Sequence, residues 1–260
     1  MENSKIQWTT HTWNPWYGCS KISPGCAHCY AEVMMDKRYG RVQWGPGKPR
    51  KRTALGYWRQ PLAWNKQAGD LHERYRIFPS LCDPFDHEVS DAWRNDFFRL
   101  IEQTPNLDWL LLTKRAEEML SMLNDYYPLP APLPANMWLG VSVENQEWAN
   151  KRRDFLAAVR ARIRFVSYEP AIGPVAWTGW EFVDQIIVGG ESGPGARYFD
   201  SCWAADTLTF CRTHGIAFFM KQKGSNSDVA CRDHKGGDPA EWPQWCRVRE
   251  FPDQPRLIYS

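Results

Sequence analysis

Six short apolar runs punctuate the chain, each closing on polar residues: RIFPSLCD (76–83), DWLLLTKR (108–115), MWLGVSVE (137–144), IRFVSYEP (163–170), DQIIVGGE (184–191) and IAFFMKQK (216–223). Runs of this length, bounded by polar or Gly/Pro segments, read as strands buried on both faces. Between them DAWRNDFFRLIEQT (91–104), KRAEEMLSMLNDYY (114–127), NQEWANKRRDFLAAVRA (145–161) and CWAADTLTFCRTHG (202–215) repeat apolar residues at helical spacing. Strand, loop and helix in recurrence predict an α/β fold with a mainly parallel sheet. PLPAPLP (128–134) reads as a stiff surface connection rather than a linker between domains.

In folds of this kind the residues just past the carboxyl ends of the strands line the active site. Ser80, Asp83, Lys114, Ser142, Glu144, Ser167, Glu169, Glu191, Lys221 and Gln222 fall at or near those positions. Any one of them can simply mark the end of a strand. Their recurrence in strand after strand favours a shared polar pocket.

The chain has 260 residues, 43% hydrophobic and 24% charged, the composition of a packed globular protein. That length is compatible with one core, so the expectation is a single domain over 1–260. The opening MENSKIQWTTHTWNPW carries no export signal, and no later run has the length and apolarity of a membrane span. A cytoplasmic protein with no membrane partner is expected. In such a reducing compartment, eight cysteines point to metals or catalysis before disulfides.

TWNPWYGCSKISPGCAHCYAE sets Cys19, Cys26 and Cys29 in the pattern C-x6-C-x2-C, with Tyr30 directly after and helical sequence from Ala31. A loop rich in Gly, Ser and Pro can fold back and aim several thiolates at one metal centre. A 4Fe–4S cluster takes four thiolates, so three cysteines leave one iron open to a small chelating molecule. Zinc competes for the same residues, with His28 or a distant cysteine completing a tetrahedron. Cysteines placed only for packing are a third alternative, disfavoured by three falling within eleven residues of such a loop.

Together with LLTKR, SYEP, VGGESGPGAR and FFMKQKG, this motif resembles the phage-type three-cysteine radical-SAM-like family, an uncharacterised phage protein family. The resemblance runs from about Ile6 to Gly224. More distantly, the chain is similar to spore photoproduct lyase, a radical-SAM enzyme of DNA repair. The resemblance implies a partial (β/α)6 barrel of the TIM type, with the cluster loop after the first strand. It further implies a 4Fe–4S cluster on Cys19, Cys26 and Cys29 with S-adenosylmethionine on the open iron. Reductive cleavage would then give a 5′-deoxyadenosyl radical that abstracts hydrogen from an unreactive C–H bond, with electrons from an external donor of the flavodoxin or ferredoxin type. By position, Lys114 and Ser142 fall where the lyase contacts S-adenosylmethionine, Ser80 matches less well, and Tyr30 and Glu144 are grouped with these cofactor contacts. Two features depart from the usual radical-SAM pattern. Six residues rather than three separate the first two cysteines, and Gly189-Gly190-Glu191 follows a late strand instead of the second. Glu191 there touches S-adenosylmethionine, touches substrate, or shapes the mouth of the barrel.

The net charge of +2 hides a basic stretch: from Lys37 to Lys66 there are nine Lys or Arg and no Asp or Glu. Trp44, Tyr57, Trp58 and Trp64 are interleaved with these charges, a mixture that grips phosphates and stacks bases. The competing reading is a solvated loop whose aromatics tuck inside. On the first view Arg52 and Trp58 are substrate contacts, joined by Asp83, Glu169, Arg197 and Lys221. Cys82 is a candidate hydrogen donor, since a thiol S–H bond is weak. Cys202, Cys211, Cys231 and Cys246 are spaced too irregularly for a second metal site. In domain terms 37–66 reads as a basic, aromatic-rich insertion and 225–260 as a C-terminal extension. The expectation is a radical-SAM enzyme that repairs or modifies DNA, RNA or a nucleotide base. The alternatives are a zinc-knuckle nucleic-acid-binding protein without redox chemistry and a radical-SAM enzyme acting on a small metabolite or peptide.

Overall fold

The computed structural model describes residues 1–252, so the end of the expected C-terminal extension, 253–260, lies outside the described residues. In chain order the elements are β1 (His11–Thr12), β2 (Trp16–Tyr17), α1 (Tyr30–Glu32), β3 (Lys51–Arg52), α2 (Gln60–Leu71), β4 (Tyr75–Phe78), α3 (Asp91–Glu102), β5 (Leu107–Thr113), α4 (Ala116–Tyr126), β6 (Met137–Ser142), α5 (Gln146–Ala158), β7 (Arg164–Tyr168), β8 (Gln185–Gly189), α6 (Ser201–His214) and β9 (Ala217–Gln222). The six expected strands are β4 to β9, and the four expected helices are α3 to α6. A π-helical turn, Val33–Arg38, continues α1, in line with the helical sequence after the third cysteine.

Seven strands form one parallel sheet in the order β1-β4-β5-β6-β7-β8-β9, so neighbours in the sheet follow one another along the chain. β1 adds to the six that the sequence predicts, since two residues are too few to carry a period. β2 and β3 form a separate antiparallel pair in which Trp16 faces Arg52. All of β6 and β8, and all of β5 except Leu112, are buried. That is why these strands read as continuous apolar runs rather than alternating ones.

The described chain divides into two compact units, Met1–Gly140 with Ala158–Arg162, and Val141–Ala157 with Ile163 onward. The first is built around aromatic rings. Trp13, Phe97 and Trp109 are fully buried; Trp13 and Phe97 meet the Trp109 ring at 5.6 and 5.2 Å between centroids. α3 supplies Phe97, Phe98 and Ile101 on one face. Trp13 and Trp16 therefore seat the WNPW segment, immediately before the first cysteine, in the core. In the second unit α6 caps its first turn with the Asp200 carboxylate on the Cys202 N–H, and Thr207 Oγ accepts from Trp177 Nε1 at 2.9 Å.

The basic stretch tucks most of its aromatics inside, as the competing reading expects, but it is not all loop. It contributes β3 and α2, with Pro61 in the first turn of that helix and Trp64 and Ala68 buried one helical turn apart. Tyr57 stacks on Trp13 at 5.5 Å, Trp58 meets the same ring edge-on at 5.1 Å, and the buried Trp64 donates to a Glu2 carboxylate oxygen. Apolar area drives three of the four aromatics into the core of this unit. Arg38, Arg41, Lys48, Lys51 and Arg59 stay exposed.

Candidate functional site

The cysteine loop leaves the core at Tyr17. Gly18 adopts φ +108°, a left-handed conformation that favours glycine, and a Cβ there would crowd the side chains of Arg50 and Val42. The same glycine lies bridged in parallel to Cys82, so the loop starts alongside the segment after β4. Asn14 ties the two together, its side-chain oxygen accepting from the Leu81 N–H at 2.6 Å. A short turn, Pro24–Cys26, brings the chain round to Cys29, the residue preceding α1. All three cysteines are free and half-buried.

Each end of the loop meets cations. At its start the Arg115 guanidinium donates to Cys19 Sγ at 3.3 Å, to Ser20 Oγ at 2.8 Å and to the Ser20 carbonyl at 3.3 Å. At its end, burial raises the Cys29 pKa, while the backbone N–H groups of Glu32 and Ala31 and the Lys114 ammonium favour the thiolate. Lys21 crosses the loop to Glu32 at 2.8 Å.

Under the loop lies a buried charge cluster. Asp83 accepts from Thr113 Oγ at 2.7 Å, from the N–H groups of Phe85 and Lys114, and from Arg115. Asp86 accepts from Arg50 Nε at 2.7 Å, and both side chains are essentially inaccessible, at 0% and 1%. Arg50 also donates to the carbonyls of Gly45 and Lys48. Two carboxylates against two guanidinium groups satisfy one another, which permits four charges under a thiol-bearing loop.

Burial raises the Cys19 thiol to about 12, the Asp83 and Asp86 carboxylates push the same way, and Arg115 offsets part of it. In metal-free protein at pH 8 its thiolate fraction is therefore expected to be about a thousandfold below that of an ordinary thiol. Alkylation followed by mass spectrometry should show Cys19 reacting correspondingly slowly, with the rate still rising tenfold per pH unit above pH 9. A plateau near pH 9 would contradict this environment.

The structure brings several of the sequence candidates to this loop. The Tyr30 hydroxyl donates to the Ser80 carbonyl at 2.5 Å, and the Lys114 charge favours the Cys29 thiolate. Cys82 is half-buried, its pKa pushed well above the ordinary value by burial and then by Asp83 and Cys19. Asp83 is the structural acceptor just described. Arg52 pairs with Asp96 at 2.7 Å and covers the Trp58 ring, so both belong to the packing around β3. His87, exposed, pairs with Glu118 at 2.8 Å. Nothing in the sequence singles out Arg115 or Arg50, which look there like any other arginine of a helix start or a basic stretch.

The strand-end residues of the second unit form three ion pairs. Arg152 of α5 donates to the fully buried Glu144 carboxylate at 2.8 Å and to the Ser142 carbonyl at 2.7 Å. Lys221 donates to Glu169 at 2.6 Å, and Ser167 Oγ reaches the other Glu169 oxygen at 3.4 Å. Arg197 forks onto Glu191 with 2.6 and 2.9 Å bonds. Gln222 donates to the Gly190 carbonyl. Lys223, which sequence reasoning passed over, is fully buried on Ser201 Oγ and near Asp228.

Gly189 and Gly190 are explained by close approach rather than by a ligand. A Cβ on Gly190 would run into the Lys223 carbonyl, and one on Gly189 into the Glu169 carboxylate. Gly190→Ala should destabilise the protein by more than about 1 kcal/mol in urea unfolding, the cost of forcing backbone apart. An unchanged midpoint would show that the two segments can separate freely.

Among the described residues no three His, Cys, Asp or Glu side chains converge as ligands of a single ion. Cys202 is exposed, Cys211 and Cys246 are buried and Cys231 is half-buried. Among the described residues no helix is long and apolar enough to cross a membrane. A family profile covers residues 3–245, nearly the whole chain. The chain belongs to the DUF5131 family, described as proteins of unknown function. No curated protein and no solved structure matches this DUF5131 chain.

Proposed function

We propose that this protein is a radical-SAM enzyme, with Cys19, Cys26 and Cys29 holding a 4Fe–4S cluster and S-adenosylmethionine bound at its open iron. The observation that carries the reading is three free thiols on one short loop, with the Arg115 guanidinium against the first. Soft thiolate ligands select iron–sulfur clusters or zinc. A single zinc needs its ligands to converge at about 2.3 Å, whereas a cubane takes each thiolate on a different iron, so convergence on one point is not required. Three thiolates also leave one iron of a cluster open to a chelating small molecule, which is the chemistry this reading needs.

A reduced cluster held by Cys19, Cys26 and Cys29 would supply one electron for cleavage of S-adenosylmethionine. The chain's own contributions are more specific. Gly18 and the Trp13–Trp16 stalk fix where the loop begins, and the buried Asp83, Asp86, Arg50 and Arg115 hold it there. Lys114, with Tyr30 and Ser80 nearby, presents the charge and hydroxyl chemistry that a carboxylate and a ribose require. Cys82, kept as a neutral thiol by burial, retains the S–H hydrogen that a donor to a product radical needs.

The proposed substrate is a nucleic acid or nucleotide base, in repair or modification, with the electrons arriving from a flavodoxin- or ferredoxin-type donor. Arg38, Arg41, Lys48, Lys51 and Arg59 support phosphate contact. The inward packing of Tyr57, Trp58 and Trp64 supports a second reading, a radical-SAM enzyme on a small metabolite or peptide, because it removes the stacking platform.

Anaerobically reconstituted protein given S-adenosylmethionine and dithionite should release 5′-deoxyadenosine, measured by chromatography. Colourless protein retaining one zinc, with no 5′-deoxyadenosine, ends the proposal. Affinity for single-stranded DNA or RNA should fall steeply with salt if the cations contact phosphates. Salt-insensitive or absent binding selects the small-substrate reading.

A further inference from the structure

Arg115 stands out because its terminal nitrogens are aimed at the loop, while its Nε lies 3.5 Å from Glu118 of α4. Its guanidinium places donors on Cys19 Sγ, Ser20 Oγ and the Ser20 carbonyl, and only 3% of the side chain is exposed. Pairing with Asp83 alone does not account for this orientation. That carboxylate already accepts from Thr113 Oγ and from the N–H groups of Phe85 and Lys114, and takes only one bond from Arg115, at 3.2 Å. Asp86 is served by Arg50, with Arg115 at 3.8 Å.

The formal charges of the buried Arg50, Arg115, Asp83 and Asp86 cancel, with the part-exposed Glu88 and Glu118 each 3.5 Å from one of the guanidinium groups. Thiolates bound to an iron–sulfur core add negative charge to that balanced set, and the nearest donor to the first of them is Arg115. Hydrogen bonds to coordinated sulfur and the local charge set the reduction potential of such clusters. A cation in hydrogen-bond reach favours the more negative, reduced state. A planar guanidinium can hold the sulfur and both Ser20 oxygens at once, which an ammonium on a flexible stem does less well.

Resting on the reading proposed above, we infer that Arg115 is a positioning residue: it hydrogen-bonds the coordinated sulfur of Cys19, fixes the first arm of the loop through Ser20, and raises the reduction potential of the cluster. In the LLTKR segment this separates two functions that adjacent cations perform, Lys114 toward Cys29 and Arg115 toward Cys19.

The test is a dye-mediated redox titration followed by electron paramagnetic resonance on reconstituted full-length protein, with iron and sulfide assayed for each variant. At any fixed potential, iron-loaded Arg115→Gln should show a reduced-to-oxidised ratio at least tenfold below that of the unsubstituted protein, a shift of about 59 mV for one electron. Arg115→Lys, which keeps the charge, should stay within about threefold. Pulsed resonance on unsubstituted protein labelled with 15N-arginine should show a nitrogen coupling at the reduced cluster that Arg115→Lys loses.

An iron-loaded Arg115→Gln with unchanged potential overturns the inference. So does the absence of arginine coupling in the labelled unsubstituted protein, and that measurement decides the matter even where Arg115→Gln does not fold. Protein that takes up no iron and sulfide at all defeats the proposed function itself, and this inference with it. A cluster that forms but ignores Arg115 defeats the inference alone.

Discussion

Asp86→Ala is expected to lower the stability of the protein by about 3–5 kcal/mol, the loss that follows when one partner of a buried ion pair is removed. Arg50 and Asp86 are both cut off from solvent, 2.7 Å apart, and Asp86 Oδ1 also accepts from the Glu88 N–H. Without the carboxylate, Arg50 keeps the carbonyls of Gly45 and Lys48 and a 3.5 Å approach to Glu88, but its charge is left largely unbalanced in the interior. Urea unfolding measures this. The exposed pair Lys151–Glu147 is the internal comparison: Glu147→Ala should change stability by no more than about 1 kcal/mol despite a 2.5 Å separation, because solvent screens both partners. Equal effects of the two substitutions would mean that the charge cluster beneath the cysteine loop is as well hydrated as the surface.

The second large effect concerns function. Replacing Cys19, Cys26 or Cys29 singly by alanine should reduce 5′-deoxyadenosine formation more than about 100-fold, beyond what loss of a supporting contact around a metal costs. Iron and sulfide should fall in parallel. Cys82→Ala should behave differently, keeping iron, sulfide and 5′-deoxyadenosine release while losing turnover on the true substrate if the thiol is the hydrogen donor. Cys202→Ala, on the exposed start of α6, should change none of these. A Cys26→Ala protein with its full iron and sulfide would falsify the assignment of the three-cysteine loop.

Much of the sheet is legible in the chain because β4 to β9 are buried on both faces and α3 to α6 bury one face. The first writes an unbroken apolar run into the residues and the second a helical period. β1, β2 and β3 have two residues each and write neither. α2 is hidden for a different reason: its residues sit in a basic stretch, and just Pro61, Trp64 and Ala68 mark its inward face. Tertiary packing of Tyr57 and Trp58 on Trp13 decides where those aromatics go, and no local pattern records it.

The candidate site divides the same way. The thiols are conspicuous because cysteines so closely spaced on a Gly/Pro loop are rare. The groups that hold them are not, since Arg50, Asp86 and Arg115 come from three separate segments and acquire meaning only when folding brings them together. Polar residues do stand at the strand ends, yet Glu144, Glu169 and Glu191 are each matched by a basic partner, Arg152, Lys221 and Arg197. From sequence, a carboxylate awaiting a ligand and a carboxylate already answered by an arginine are indistinguishable.

The stalk of the cysteine loop has an optical consequence. Trp13 and Trp16, fully enclosed, stand six and three residues ahead of Cys19. Indole emission overlaps the broad absorption of iron–sulfur chromophores, so these two fluorophores are natural energy donors to whatever the thiols hold. Loading of the loop should dim the intrinsic fluorescence of the protein, and oxygen damage should restore it, giving a label-free record of occupancy in real time.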